Sequence, residues 1–262
     1  MTTEYATASD GIRLAFERAG PLTDWKSGRP VVLVHGFGSS AKQNWKDTGW
    51  FDSLLAAGCA LVAMDCRGHG ASDKPHDENA YGHERMAEDV LSVMDAAGLK
   101  SADLVGYSMG GFIGLRVAVE APERIGKLVL AGVGAHYLEG PRISSEGSRA
   151  MLSAALLAPD KASITDPRGR MFRAFADQPG KDRIALAACM RAMSGPLSRA
   201  ALSQLQQRVL VVCGDKDDIA GAPEPLAQCF VHGDFSTISG RDHMSAVGDA
   251  RTQQAVSAFL TG

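Results

Sequence analysis

The residues first suggest nucleophilic chemistry. In Leu104-Val-Gly-Tyr-Ser-Met-Gly-Gly a serine stands between two glycines, as Gly106-Tyr107-Ser108-Met109-Gly110. An apolar, strand-like run precedes it, and a run with helical spacing, Phe112-Ile-Gly-Leu-Arg-Val-Ala-Val, follows. A serine forced into so sharp a strand-to-helix turn projects its hydroxyl clear of the sheet. Glycines on either side let neighbouring backbone approach closely. The turn also opens a helix, whose free N–H groups and positive dipole end favour the negative charge of acyl transfer. Met109, next after the serine, is expected to offer its backbone N–H to a developing oxyanion. The ordinary alternative is a buried serine that caps a helix after a strand.

Serine is a poor nucleophile at neutral pH and needs a base beside it. The chain has seven histidines, one of which, His243, lies in Ser239-Gly-Arg-Asp-His-Met after the last strand-like run. A third group must orient the imidazole. In Val212-Cys-Gly-Asp-Lys-Asp-Asp, three carboxylates, Asp215, Asp217 and Asp218, crowd the carboxyl end of a strand. From the residues alone, the choice of base and acid stays open. The five cysteines are odd in number and form no Cys-x-x-Cys pair, which argues against a disulfide framework or a zinc site. Free thiols in a reducing cytoplasm are the expectation, with no metal and no cofactor.

The elements that must position these groups follow from hydrophobic spacing. Short β-rich runs at Val31–Val34, Ala60–Met64, Ala102–Gly106, Lys127–Ala131, Arg208–Cys213 and Phe235–Ile238 predict strands. Ser9-Asp-Gly predicts a hairpin before them. Met86, Val90, Val93, Met94 and Ala97 predict an amphipathic helix ending at Gly98. Apolar strands alternating with helices mean an α/β fold with a mostly parallel, covered sheet. The connection from Ala131 to Arg208 is far longer than the usual 2–6 residues, so it needs structure of its own. Helical spacing there, with Pro196 opening a last segment, predicts an inserted helical lid over about 136–207.

Two more segments carry a resemblance: Val34-His-Gly-Phe-Gly, and Met64-Asp-Cys-Arg-Gly-His-Gly-Ala-Ser-Asp-Lys-Pro. With the serine turn and the Asp and His segments in this order, the chain resembles the α/β-hydrolase superfamily, of the esterase, lactonase and cofactor-free haloperoxidase-like type. The resemblance covers nearly the whole length, with only the lid unmatched in detail. It implies an α/β-hydrolase core domain of residues 1–135 and 208–262, with the lid at 136–207. It makes His243 the base and, through Gly214-x-x-Asp217, makes Asp217 the acid, with Asp215 as the main rival. It adds the N–H of Phe37 to that of Met109 in the oxyanion hole. Asp242 stands where the family usually has Gly, and Asp218 where Pro is common. His35 and His69 match loop-bracing positions rather than bases.

What enters the site is expected from the lid. Met151, Leu156, Met171, Phe172, Phe175 and Met190 would line a pocket for a small or medium acyl group, or else merely pack the lid onto the core. Residues 136–207 hold ten Lys or Arg against six Asp or Glu, a net of +4 that leaves −7 on the remainder of a −3 chain. That excess either pairs with the acidic core or draws an anionic substrate. The mild acidity and lack of a basic run exclude nucleic acid as a partner. No apolar run nears the roughly 20 residues that span a bilayer, and the N-terminus shows no signal peptide. The expected activity is hydrolysis of carboxylic esters or lactones through an acyl-enzyme. Perhydrolysis or haloperoxidation by the same triad, or a non-catalytic ligand-binding role, are the alternatives.

Overall fold

Runs without polar alternation fold as strands covered on both faces: Val31–Val34 and Leu61–Met64 have every side chain buried. The computed structural model describes residues 2–20, 30–138 and 146–262. Among them, strands β1 (Glu4–Thr7), β2 (Arg13–Ala19), β3 (Val31–Val34), β4 (Leu61–Met64), β5 (Ala102–Tyr107), β6 (Ile125–Ala131), β7 (Arg208–Gly214) and β8 (His232–Ile238) form one sheet. Its order is β1-β2-β4-β3-β5-β6-β7-β8. The expected hairpin pairs β1 with β2, and β2 runs antiparallel to β4. All other neighbours are parallel. β8 starts earlier than its apolar residues suggest, because an edge strand can leave much of its length exposed.

The helices are α1 (Trp50–Ala56), α2 (His83–Ala96), α3 (Met109–Glu120), α4 (Glu146–Leu157), α5 (Pro167–Ala176), α6 (Arg183–Ala192), α7 (Arg199–Leu202), α8 (Glu224–Ala227) and α9 (Ala250–Thr261). One face of the sheet buries Met86 and Val90 of α2 with Ile113 and Val117 of α3. The other buries Trp50 and Leu54 of α1 with Val256 and Phe259 of α9. The chain leaves β3 through α1 to β4 on one side, then returns through α2 to β5 on the other. Where the direction of winding reverses, a crevice opens at the carboxyl ends of the strands, the usual ligand site of such sheets.

Helices α4 to α7 fill the long connection between β6 and β7. The expected insertion begins at 136, and its residues 139–145 lie outside the described residues. Leu152, Leu156, Ala176, Leu186, Ala187 and Met190 give α4, α5 and α6 a small core of their own. Asp166 and Asp182 cap α5 and α6 through backbone N–H groups. The last segment starts at Arg199 rather than Pro196, because Ser198 supplies its cap. Among the described residues no helix is long and apolar enough to cross a membrane. The five cysteines are free thiols, and all but Cys59 are buried.

Candidate active site

Ser108 sits between β5 and α3 with φ 50° and ψ −113°, the one non-glycine among the described residues with positive φ. Such backbone is strained and persists only where its surroundings hold it. Here the Ser108 N–H donates to the Ala131 carbonyl at 2.8 Å, and its own carbonyl accepts from the Gly111 N–H at 2.8 Å. The flanking glycines are needed for space. A Cβ on Gly106 would stand 2.3 Å from the Gly110 carbonyl oxygen, and one on Gly110 would stand 2.0 Å from that of Val34.

The structure brings His243 and Asp217 to this serine. His243 Nε2 lies 3.0 Å from Ser108 Oγ, and His243 Nδ1 lies 2.8 Å from Asp217 Oδ2. Asp217 is buried, and its other oxygen accepts the N–H groups of Ile219 (3.1 Å) and Ala220 (2.8 Å). A carboxylate so anchored fixes the imidazole with Nδ1 protonated and Nε2 free to accept the serine proton. Asp215 does not touch the imidazole. Its oxygens accept from the Gly240 N–H (2.6 Å) and Ser239 Oγ (3.2 Å), tying the end of β7 to the loop that carries His243. Asp218 is exposed.

Two residues that sequence reasoning gave no role hold the imidazole loop. The Tyr107 hydroxyl donates to the His243 carbonyl, and its ring centre lies 5.6 Å from the imidazole. Asp242, in place of the usual glycine, accepts from Ser245 Oγ (2.6 Å), the Ser245 N–H (2.8 Å) and the Met244 N–H (3.1 Å). Those bonds, the Ser245 hydroxyl foremost, hold its carboxyl below the usual carboxylate range.

His35 and His69 lie apart from the serine as loop braces. The Cys66 N–H donates to His35 Nε2 at 3.0 Å, so the proton sits on Nδ1 and is donated to the Gly36 carbonyl at 2.8 Å. His69 Nδ1 lies 2.9 Å from the Arg67 carbonyl, and burial pushes its pKa down to about 3. An imidazole that stays neutral in this way makes a poor general base near pH 7.

A cavity of about 340 Å³ opens over Ser108. Phe37 and Met109 both line it. Met109 is the first residue of α3, so its N–H has no acceptor one turn back. The turn before Phe37 is fixed by Asn44, whose Oδ1 accepts the Gly36 N–H at 3.1 Å. Asn44 also lines the cavity, and among the described residues its Nδ2 has no hydrogen-bond partner. Of the residues expected from the inserted segment, Met171, Phe172, Phe175 and Met190 line the wall, together with Met193.

Met151 and Leu156 do not line it, which corrects the expectation. Leu156 is wholly buried in the helices' own core and Met151 packs against it. Helical spacing marks an apolar face without saying whether it meets neighbouring helices or a cavity. No charged side chain lines the wall among the described residues. Some of the segment's cations engage acids, as in Arg173–Asp177 (2.9 Å) and Lys161–Asp177 (2.8 Å) within it and Arg191–Glu78 (3.5 Å) across to the core, while Arg170 donates to the Ile164 carbonyl and Lys181 to Gln178 Oε1. Nor do three or more His, Cys, Asp or Glu side chains among the described residues gather so as to hold a metal ion.

A family model described as the α/β-hydrolase fold matches residues 29–160. The chain belongs to the α/β-hydrolase family. Among curated relatives, it is 31% identical over 220 residues to the dihydrolipoyllysine-residue acetyltransferase component of an acetoin cleaving system from Pseudomonas putida, covering 79% of this chain and 58% of that one. It is 36% identical over 111 residues to a 2-hydroxymuconate semialdehyde hydrolase of Pseudomonas putida, covering 42% of this chain and 38% of that one. The chain thus spans less than two thirds of either relative's length. The crystal structure of a hydrolase from Pseudomonas aeruginosa superposes with a TM-score of 0.78 at 26% identity, covering 99% of this chain and 98% of that one.

Proposed function

We propose that this α/β hydrolase is a cofactor-free serine hydrolase of carboxylic esters or lactones. Ser108 Oγ attacks the acyl carbon while His243 Nε2 takes its proton, and Asp217 stabilises the imidazolium. The backbone N–H groups of Phe37 and Met109 receive the oxyanion. The imidazolium then protonates the leaving alcohol, or the ring oxygen of a lactone. Water, giving its proton to His243, hydrolyses the acyl-enzyme and returns Ser108.

The helices of the 136–207 segment serve as a lid over the core of 1–135 and 208–262. Met171, Phe172, Phe175 and Met190 shape a pocket for a small or medium acyl group. The uncharged wall favours a neutral substrate over an anionic one. What carries the reading is the continuous hydrogen-bonded chain from Ser108 through His243 to Asp217 beneath an apolar cavity.

A panel of chromogenic esters and lactones, run beside Ser108→Ala, tests it. The expected result is turnover by the native chain and a fall in kcat of roughly 10⁴- to 10⁶-fold in the variant. Full activity in Ser108→Ala, or none in the native chain across the panel, overturns it.

A further inference from the structure

Far from the cavity, one edge of the sheet is open. β8 is the last strand in the order, and along it His232, Gly233, Asp234, Phe235 and Thr237 are exposed, Phe235 with 47% of its surface free. The strand contains neither Lys nor Pro and pairs with β7 in unbroken register from Arg208–His232 to Gly214–Ile238. Charged side chains, prolines, bulges and brevity are what usually keep an edge from pairing. The opposite edge, β1, is only four residues long.

Two bonds fix which backbone groups of β8 point outward. The Asp215 N–H donates to the Ile238 carbonyl at 3.1 Å, so Ile238 faces β7. The Gly132 N–H donates to the Val212 carbonyl at 2.8 Å, so Val212 faces β6 and its neighbours along β7 face β8. In a parallel ladder a residue directs its N–H and C=O to one side, and the side alternates along the strand. His232, Asp234, Ser236 and Ile238 therefore turn their backbone groups to β7, while Gly233, Phe235 and Thr237 turn theirs away from the sheet. Those three N–H and three C=O groups have no protein partner among the described residues.

A second copy of the same strand satisfies all of them. Laid antiparallel about a two-fold axis at Phe235, Gly233 meets Thr237 of the second copy, Phe235 meets Phe235, and Thr237 meets Gly233. These are the hydrogen-bonded positions, so six backbone bonds form and neither edge keeps an unpaired group. An axis at Gly233 or Thr237 instead leaves outward groups of each strand without a partner. The side chains agree with the central axis. The Phe235 rings form an aromatic pair across it, and Asp234 stands opposite Ser236, whose hydroxyl can donate to the carboxylate. No like charges stand directly opposite one another.

We propose that the β8 edge is a self-association surface, on which a second copy of this chain adds its own β8 antiparallel about Phe235 and continues the sheet. The proposal is independent of the reaction assigned to Ser108. Seven residues from each copy fall short of the roughly 20–30 in a standard interface, so the dimer is weak and concentration-dependent.

Sedimentation equilibrium of the full chain, from about 5 to about 500 µM, tests it. The expected weight-average mass rises from 27.6 kDa toward twice that value. Phe235→Lys sets two cations across the axis, and Thr237→Pro removes an outward N–H that β7 does not use. Each should weaken association at least about tenfold with an unchanged circular dichroism spectrum. Asp234→Cys combined with Ser236→Cys places thiols at a close, non-hydrogen-bonded pair, so mild oxidation should give a covalent dimer that neither single variant gives. A mass of 27.6 kDa at every concentration overturns the proposal. So does association that survives both Phe235→Lys and Thr237→Pro, or cross-linking of the single variants equal to that of the pair.

Discussion

The two sides of the cavity are built by different rules. On the core side, Ser108, Asp217 and His243 come from connections at the carboxyl ends of strands, and each is held by directional hydrogen bonds of 2.8–3.2 Å. On the other side, Met171, Phe172, Phe175 and Met190 face the cavity from helices with a separate small core. Phe37 joins the two, packing edge-on against Phe172 at 5.7 Å. Proton transfer tolerates little misplacement, which suits this tied-down side to the acid–base work proposed for it. An apolar wall works by shape and dispersion, which flexible methionines supply without fixed angles.

The contrast is broken most sharply on the core side. Asp217→Asn is expected to lower kcat on the order of 10⁴-fold with the fold intact, because the wrong imidazole tautomer is then favoured. Asp215→Asn should cost less than about tenfold, since that carboxylate braces a turn. Steady-state kinetics of the two variants decides between them, and equal losses would make the tethering at Asp217 irrelevant to turnover.

Acid should act on the core as well. Burial pushes the pKa of His69 down to about 3 and that of His83 down to about 4, against 6.5 for an exposed imidazole. Below 6.5 the unfolded chain binds protons that the folded chain refuses, so stability falls as pH drops from 6.5 toward 4. At about 1.4 kcal/mol per pKa unit, the two sites together remove several kcal/mol by the bottom of that window. Thermal melts at about pH 7 and about pH 4.5 read this, and His69→Gln should show the smaller drop in Tm. A Tm independent of pH in this range would mean that these imidazoles are not held neutral.

On the helical side the expected effects are smaller and of another kind. Leu156→Ala, in the core of α4 to α6, should cost about 2–5 kcal/mol of local stability. It should raise KM for longer esters several-fold while changing reaction of Ser108 with a small covalent probe by less than about twofold. Chain-length profiles beside probe kinetics check this. Equal loss in both would show that the inserted helices also position the triad.

Much of the core side was legible in the sequence because its geometry restricts residue type. Close approach at the Ser108 turn admits only glycine at 106 and 110. Strands buried on both faces leave apolar runs that carry their own boundaries to within a few residues. The helical side was less legible. Met151 and Met190 have the same periodicity and both belong to the helices' own core, yet only Met190 also lines the cavity. Charge was ambiguous for a similar reason: the excess of cations could be counted, but their acidic partners could not be placed. Tyr107 and Asp242 act through hydrogen bonds made across the fold, which no local spacing shows.

The central claim is that Ser108 is an activated nucleophile, and its reaction with a small sulfonyl fluoride tests this most directly. Attack by Oγ on sulfur expels fluoride and leaves a stable sulfonyl ester, read as a mass increase in the intact protein and located by peptide mapping. The expected result is a single adduct on Ser108, formed in step with loss of activity and far more slowly in His243→Ala. An unmodified native protein, or equal labelling of Ser108→Ala, would contradict the account.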